Sequence, residues 1–200
     1  MPSARTRSAL QAVRARLQRD GVLLLHDAQR PSLTAIVAGA PIRGSWWGHP
    51  SGQTIFEVAS ALEDDGEALL VPLLASKVTL VAPRLWGELA AVGEAREPWQ
   101  LEGLDRAARA LLGEVDGSGR LRASGTPAKA LARALLVYSA QVHTASGAHA
   151  TELQSWPAFR RAHRLGRRRP GKAGRAAIES AVNAALGPSA LSLLPWTRPA

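Results

Sequence analysis

The segment RGSWWGHPSGQTIF, residues 43–56, combines two adjacent tryptophans with a preceding arginine and a following histidine. The cations could reach a phosphate, while either ring could stack on a base. We expect Ser51 to cap the helix that follows it, and the first N–H groups of a helix attract anions. In the alternative, structural interpretation, one ring belongs to the core and the other fills a gap beside a hairpin. We expect one ring to be exposed. The candidate contact residues are Arg43, Trp46, Trp47 and His49.

Two histidines lie on either side of a polar turn in VYSAQVHTASGAHATEL, a pattern that predicts a β-hairpin. A two-residue turn at Ser146 and Gly147 would put His143 and His149 on opposite faces. A three-residue loop ending at Gly147 would pair them directly, and a glycine at the last loop position favours this register. Facing imidazoles could contact a phosphate or hydrogen-bond each other. With no Cys and only Glu152 as an obvious nearby carboxylate, we expect no metal site.

The positive charge is concentrated at the two ends of the chain. The net charge is +9; residues 1–19 hold five arginines and residues 157–175 hold eight basic residues, in both cases without an acid. Residues 20–156 hold 11 basic and 15 acidic residues, a net charge of −4. A concentrated cationic segment attracts a polyanion, with nucleic acid favoured over an acidic protein or an anionic membrane, or it is a solvated tail. The basic residues of the second segment are Arg160, Arg161, Arg164, Arg167, Arg168, Arg169, Lys172 and Arg175.

Other candidates carry weaker signals. A predicted helix over 126–136, capped by Thr126, presents Lys129 and Arg133 four residues apart on one face, a spacing better suited to phosphate contact than to base reading. His26 and Asp27, after an apolar run, are a candidate catalytic dyad, but neighbouring strand side chains point to opposite faces.

An acidic cluster ends the helix that follows the tryptophans. Its carboxylates could serve acid–base chemistry or hold Mg²⁺, but at a helix end a solvated turn is expected. No nucleophile elbow, P-loop, dinucleotide-binding fingerprint or HExxH motif occurs, and no cofactor is implied. The cluster comprises Glu63, Asp64, Asp65 and Glu67.

The elements that position these residues follow from hydrophobic spacing. Residues 3–19 predict an amphipathic helix, and EALLVPLL and KVTLVA predict a hairpin that turns at Ala75 and Ser76, with Pro72 on an edge strand or at a bulge. PRLWGELAAVG predicts a helix ending at Gly93. The absence of cysteine fits the cytoplasm, the basic N-terminus has no apolar signal region, and no apolar run is long enough for a membrane span.

The predicted order of helices and hairpins is that of a winged helix, and the second half repeats it in brief. We therefore predict a mainly α chain with small β-hairpins (α+β), formed by two winged-helix-like modules in tandem. The first module covers residues 1–97 and the second 98–165. Residues 166–200 form a basic linker and a C-terminal helix, in which Trp196 is expected to dock on the body.

Three segments resemble the marker sequences of a group of uncharacterised bacterial proteins: RGSWWGHPSGQTIF, LASKVTLVAPRLW and VHTASGAHATELQSW. That group is described as related to the winged-helix DNA glycosylases of the AlkZ and YcaQ type, and the resemblance covers most of residues 21–156. Those enzymes stack several winged helices around DNA and use a Gln-x-Gln or Gln-x-Asp motif. Gln100, Gln141 and Gln154 each lack the partner two positions on. The resemblance therefore implies DNA binding more strongly than base excision.

Three functions follow as hypotheses. The first is a non-enzymatic binder of nucleic acid, with duplex or distorted DNA favoured over RNA. The second is a DNA-repair enzyme of the glycosylase type, although no complete catalytic motif marks its site. The third is a protein-interaction module, such as a homodimer, since winged helices also dimerise.

Overall fold

The computed structural model describes residues 3–143, 149–167 and 169–197, and confirms a mixed α+β chain. The first part of the chain runs α1 (Ala4–Asp20), β1 (Val22–Leu24), α2 (Leu33–Ala38), α3 (Gly52–Asp64), β2 (Leu69–Leu74) and β3 (Lys77–Val81). A 3-10 turn at Pro83–Leu85 leads into α4 (Trp86–Ala95), and α5 (Pro98–Leu101) follows. The later elements are α6 (Arg106–Ser118), β4 (Arg120–Arg122), α7 (Gly125–Arg133), β5 (Val137–His143), β6 (His149–Ser155), α8 (Trp156–Ala162) and α9 (Gly171–Leu186).

The first antiparallel sheet has the strand order β1-β3-β2. Its hairpin turns at Ala75 and Ser76, as predicted, and both residues have positive φ (52° and 60°). This geometry matches the twist of a tight hairpin. Pro72 lies on the edge strand β2, where the register shifts before Leu74. Both alternatives predicted for Pro72 are therefore observed together.

The second antiparallel sheet repeats this arrangement with the order β4-β6-β5. Its long hairpin pairs the backbones of His143 and His149, the register favoured from the sequence. The tip of the loop at 144–148, the side chains of His143 and His149, and Arg168 lie outside the described residues.

The predicted bounds of two helices, α4 and α7, are wrong. Helix α4 passes through Gly93 and ends after Ala95, with Arg96 in the left-handed conformation (φ 50°). A β-carbon on Gly93 would lie 1.9 Å from Trp156 Nε1 and 2.6 Å from the Leu135 carbonyl oxygen. This glycine therefore permits helix contact rather than ending a helix. Helix α7 begins at Gly125, one residue before the predicted cap Thr126, and ends at Arg133, short of the predicted end at 136.

Apolar side chains from distant parts of the sequence share one core. Val22 and Leu89 pack in the same cluster as Trp156 and Ile178, so the first sheet, α4, α8 and α9 are joined. Trp196 docks on this cluster, as predicted, and its indole N–H donates to Glu179 (2.6 Å). A second cluster lies among α1, α2 and α3, and a third between α6, α7 and the second sheet.

Bilayer crossing demands a helix that is both long and strongly apolar, and none in the described ranges meets both conditions.

The contact between Gly93 and Trp156 predicts a substitution effect. Gly93→Ala should lower the free energy of unfolding by about 1–3 kcal/mol, because the new methyl group overlaps a buried indole and a backbone carbonyl. Chemical denaturation followed by circular dichroism measures the change.

The matched control is Gly113→Ala in α6, where a β-carbon would meet no atom within 4 Å. There the same substitution should raise stability by about 0.5–1 kcal/mol, since alanine loses less backbone entropy in a helix. Equal effects at the two sites would contradict the packing role of Gly93.

Candidate nucleic-acid interface

The basic segment after α8 surrounds a cavity of about 510 Å³. Its walls come from the start of α4, the end of α8 and the approach to α9. The charged residues of the lining are Arg84, Glu88, Arg160, Arg167 and Arg169. Pro170, which precedes the first residue of α9, lines the same cavity, so the positive end of that helix dipole lies beside it. Four cations and one anion make this a positively charged site.

The acids of the adjacent helices hold an inner set of these cations. Arg160 Nε donates to Glu94 at 2.9 Å, with the two side chains only 14% and 7% exposed. Arg169 pairs with Glu88 at 2.8 Å. Arg175, farther along, pairs with Glu97. The segment is therefore not the free cationic tail that its sequence suggests, because part of it is fixed to α4 and to the start of α5.

An outer set faces solvent. Arg161, Arg164 and Arg167 are exposed, and none of the three forms an ion pair with another described residue. Arg164 has positive φ (51°), which turns the chain sharply at the end of α8. Because the nearby carboxylates are engaged by Arg160 and Arg169, the charge of the outer set is not neutralised.

Two buried polar atoms in the cavity wall lack a hydrogen-bond partner among the described residues: Arg160 Nη2 and Glu88 Oε2. Arg160 uses Nη1 for the carbonyl of Gly166 (3.0 Å), so two of its three nitrogens are committed. Buried donors and acceptors of this kind usually meet water or a bound ion.

Arg84 is the residue of this site that the sequence did not reveal. It lies in the 3-10 turn before α4, and its guanidinium donates to the Arg19 carbonyl at 3.3 Å. Arg84 precedes the other arginines of the site by about 75 positions and has no other cation close to it in the sequence. No sequence pattern therefore links it to them.

The paired tryptophans are stacked, and one of them is exposed, as expected. Trp46 is buried, with 9% of its surface exposed, and Trp47 covers it with 68% exposed. The ring centroids are 4.1 Å apart with an interplanar angle of 22°. Phe56, from the first turn of α3, lies 6.3 Å from Trp47. The loop therefore presents one aromatic face on a fixed support.

Two histidines shape this loop. His26 Nε2 donates to the Gly44 carbonyl (2.9 Å), which assigns the proton to that nitrogen, and Nδ1 then accepts from Thr34 (3.0 Å). His49 Nδ1 accepts the backbone N–H of Ser51 at 3.1 Å. One ring nitrogen of His49 is therefore engaged within the loop, and the contact of His49 with an anion stays a prediction.

The prediction for Ser51 holds for its position, directly before the first residue of α3, but not for its hydrogen bond. Its side chain makes no capping hydrogen bond, and its hydroxyl accepts from Arg5 instead. The N–H of Gly52 is already bonded to the His49 carbonyl at 2.7 Å. Arg43 is exposed, at the start of the same loop.

Beside Trp47 lies a second cavity, of about 380 Å³, with a different character. Its polar lining is acidic, from Glu63 and Asp64, and Gln141 of β5 closes one side. Helix α3 itself contains no Lys or Arg. The aromatic lining consists of Trp46, Trp47 and Phe56.

The acidic cluster at the end of α3 is not uniformly solvated, contrary to the expectation. Glu63 is half-buried, and burial raises its pKa above the ordinary value although Tyr138 donates a hydrogen bond to it (3.0 Å). Arg14 reaches Glu67 at 2.5 Å and Asp65 at 3.9 Å. Asp64 is exposed. Among described residues, no group of three or more His, Asp or Glu side chains is placed to hold a metal.

His26 and Asp27 do not form a catalytic dyad. Burial alone would raise the pKa of Asp27, but hydrogen bonds from Lys77 (2.6 Å) and from the N–H groups of Gln29 and Arg30 lower it below the ordinary value. The carboxylate thus stabilises the turn after β1.

Other cations that the sequence singled out lie on α7 and α1. Lys129 and Arg133 are exposed on α7, and Lys129 lines a shallow groove with Gln141 of β5. In α1, by contrast, Arg16 and Arg19 both pair with Asp20. Much of the N-terminal basic charge is therefore used within the chain.

The Gln-x-Asp spacing that the three glutamines above lack does occur at Gln18 and Asp20, in the last turn of α1. Hydrogen bonds from Arg19 and Arg16 lower the pKa of Asp20 although burial opposes this. Gln18 lines a small cavity of about 90 Å³ together with Arg14 and Glu67. A cavity of this size has no room for a nucleobase and the sugar that carries it.

No known protein family, curated protein or solved structure matches this chain. The resemblance to the glycosylase-related group therefore stays a prediction.

The raised pKa of Glu63 leads to a test by pH. Glu63→Gln removes a carboxylate whose charged form is disfavoured by burial and keeps an oxygen for Tyr138. Because the folded-state pKa exceeds the unfolded one, ionisation destabilises the fold at neutral pH, and this penalty is absent below the unfolded pKa. We expect Tm to rise by about 1–3 °C at pH 7 and to stay unchanged near pH 3.

Glu57→Gln on the same helix is the control with the opposite sign. Hydrogen bonds from Gln53 and Thr6 lower the pKa of Glu57, so its ionised form stabilises the fold above the unfolded pKa. This variant should lower Tm at pH 7. Differential scanning fluorimetry at both pH values measures these shifts. If the two variants shifted Tm in the same direction at pH 7, the raised pKa of Glu63 would be contradicted.

Proposed function

We propose that this protein binds nucleic acid, with duplex DNA as the favoured ligand, and that the phosphates occupy the basic cavity and the arginines around it. The observation that carries the proposal is the unneutralised outer set, Arg161, Arg164 and Arg167, beside a cavity with four arginines in its wall. Phosphate contacts of this kind supply most of the affinity for DNA and position the protein on it.

The chain topology supports a tandem winged-helix architecture. The order α1-β1-α2-α3-β2-β3 with the sheet order β1-β3-β2 recurs, shortened by one helix, as α6-β4-α7-β5-β6 with the order β4-β6-β5. In each unit the helix before the long hairpin takes the reading position, which is α3 in the first and α7 in the second.

The two helices in the reading position differ in charge. Helix α3 has no cation and carries Glu57, Glu63 and Asp64, so it repels phosphate. Helix α7 exposes Lys129 and Arg133. We therefore assign the nucleic-acid contacts to α7 of the second unit and to the basic segment that follows α8. Stacking of a base on Trp47, contacts by Arg43 and His49, glycosylase activity and dimerisation stay predictions.

A double variant and a matched control variant test the assignment of the nucleic-acid contacts. Arg161→Ala with Arg164→Ala should weaken binding to unrelated duplex sequences equally. It should also make the slope of log K against log salt shallower by about 2, because each lost phosphate contact removes about 0.9 from the slope. Fluorescence anisotropy of a labelled duplex at several salt concentrations measures both effects.

The control removes the same charge elsewhere, with Arg106→Ala and Arg122→Ala, two exposed arginines on α6 and β4. It should leave the slope unchanged, and circular dichroism should show both double variants folded. An equal loss in the control, or no duplex binding by the native protein at low salt, would overturn the proposal.

A further inference from the structure

The cavity beside Trp47 has the composition of a site for an organic cation. Three aromatic side chains contribute to its wall, and the tryptophan pair is held rigidly by stacking at 4.1 Å. Aromatic faces attract ammonium groups through the ring quadrupole, and tryptophan does so best. Leu25, Ala59 and Leu70 supply an apolar floor that would contact the body of such a ligand.

The charges around this cavity favour the same class of ligand. Its described lining contains Glu63 and Asp64 and no Lys, Arg or His. An anionic ligand would be repelled, and a neutral apolar one would remove water from Glu63 without compensating its charge. A cation compensates that charge.

The groups that face Glu63 add no competing positive charge. Tyr138, from β5, donates its hydroxyl proton to Glu63 Oε1 at 3.0 Å, and burial raises the pKa of Tyr138, so it stays protonated. Asp64, the neighbour on α3, makes the potential at Glu63 more negative and helps to raise its pKa. Trp47 is 68% exposed, so its ring is accessible.

We propose that the cavity formed by Trp46, Trp47, Phe56, Glu63 and Asp64 binds a small organic cation, namely an ammonium group carried on an apolar body. The charged head lies against the aromatic side chains of the wall, and the carboxylates of α3 neutralise it. This site is separate from the basic cavity, with which it shares no described lining residue, and the inference does not depend on nucleic-acid binding.

The test compares choline with 3,3-dimethylbutanol, a neutral molecule of the same shape. The intact protein is titrated with each, and binding is followed by the indole N–H signals in ¹H–¹⁵N NMR spectra, with Trp47→Phe used to assign the Trp47 signal. We expect choline to shift the Trp47 signal and to bind at least about tenfold more tightly than the alcohol. Equal affinities, or no shift with choline, would overturn the proposal.

Variants locate the site. Trp47→Ala and Glu63→Gln should each weaken choline binding at least about fivefold. Glu57→Gln, on α3 but outside the cavity, should leave it unchanged. Trp47 is mostly exposed and Glu63→Gln keeps the oxygen for Tyr138, so both variants should fold.

Duplex binding by the same variants separates the two proposals. Glu63→Gln, at a residue with no predicted nucleic-acid contact, should keep the duplex affinity of the native protein while its choline affinity falls. An equal loss of choline binding in Glu57→Gln would contradict the site.

Discussion

The close contact of α4 with α8 at Gly93 and Trp156 is the constraint on which the basic surface depends. The Trp156 indole is buried and donates to the Leu135 carbonyl at 2.7 Å, so it also ties the second sheet to this joint. Only the absence of a side chain at Gly93 lets the indole lie so near. Glu94 follows that glycine and Arg160 lies one helical turn after the tryptophan, so the helix contact brings the two charges together at 2.9 Å. This packing positions the start of the basic segment, and the pairs of Arg169 with Glu88 and of Arg175 with Glu97 fix its later part.

The same packing divides the charges of the molecule. The acids of α4 hold Arg160 and Arg169, which fixes the segment and leaves the outer arginines without nearby carboxylates. A buried ion pair adds little net stability once its desolvation is counted, but it specifies position. The cavity beside the end of α3 has the opposite character, since Glu63 and Asp64 line it together with aromatic rings, and its described lining includes no Lys or Arg. The protein thus presents a cationic cavity and an anionic aromatic cavity, and the two are suited to different ligands.

Local signals in the sequence were sufficient for much of the fold. The hairpin at Ala75 and Ser76, the helix α1 and the exposure of one tryptophan depend on turn chemistry and periodicity, and a short stretch of sequence contains both. The prediction that α4 ends at Gly93 is wrong because a glycine that ends a helix and a glycine that permits close packing look the same in a short stretch of sequence. The partners of Arg160 and Glu63 are 66 and 75 positions away. Tertiary packing determines which partners Arg160 and Glu63 meet, and it also places Arg84 beside the basic segment. A local sequence pattern therefore predicts neither these partners nor the position of Arg84.

The most direct test of the central claim follows individual arginine side chains by NMR while a DNA duplex is added at low salt. We expect the Nε–H signals of Arg161, Arg164 and Arg167 to shift together. Arg160 should keep the signal of its pair with Glu94, and Arg106 and Arg122 should not respond. Shifts confined to residues around α3, or none in the outer arginines at saturating duplex, would contradict it.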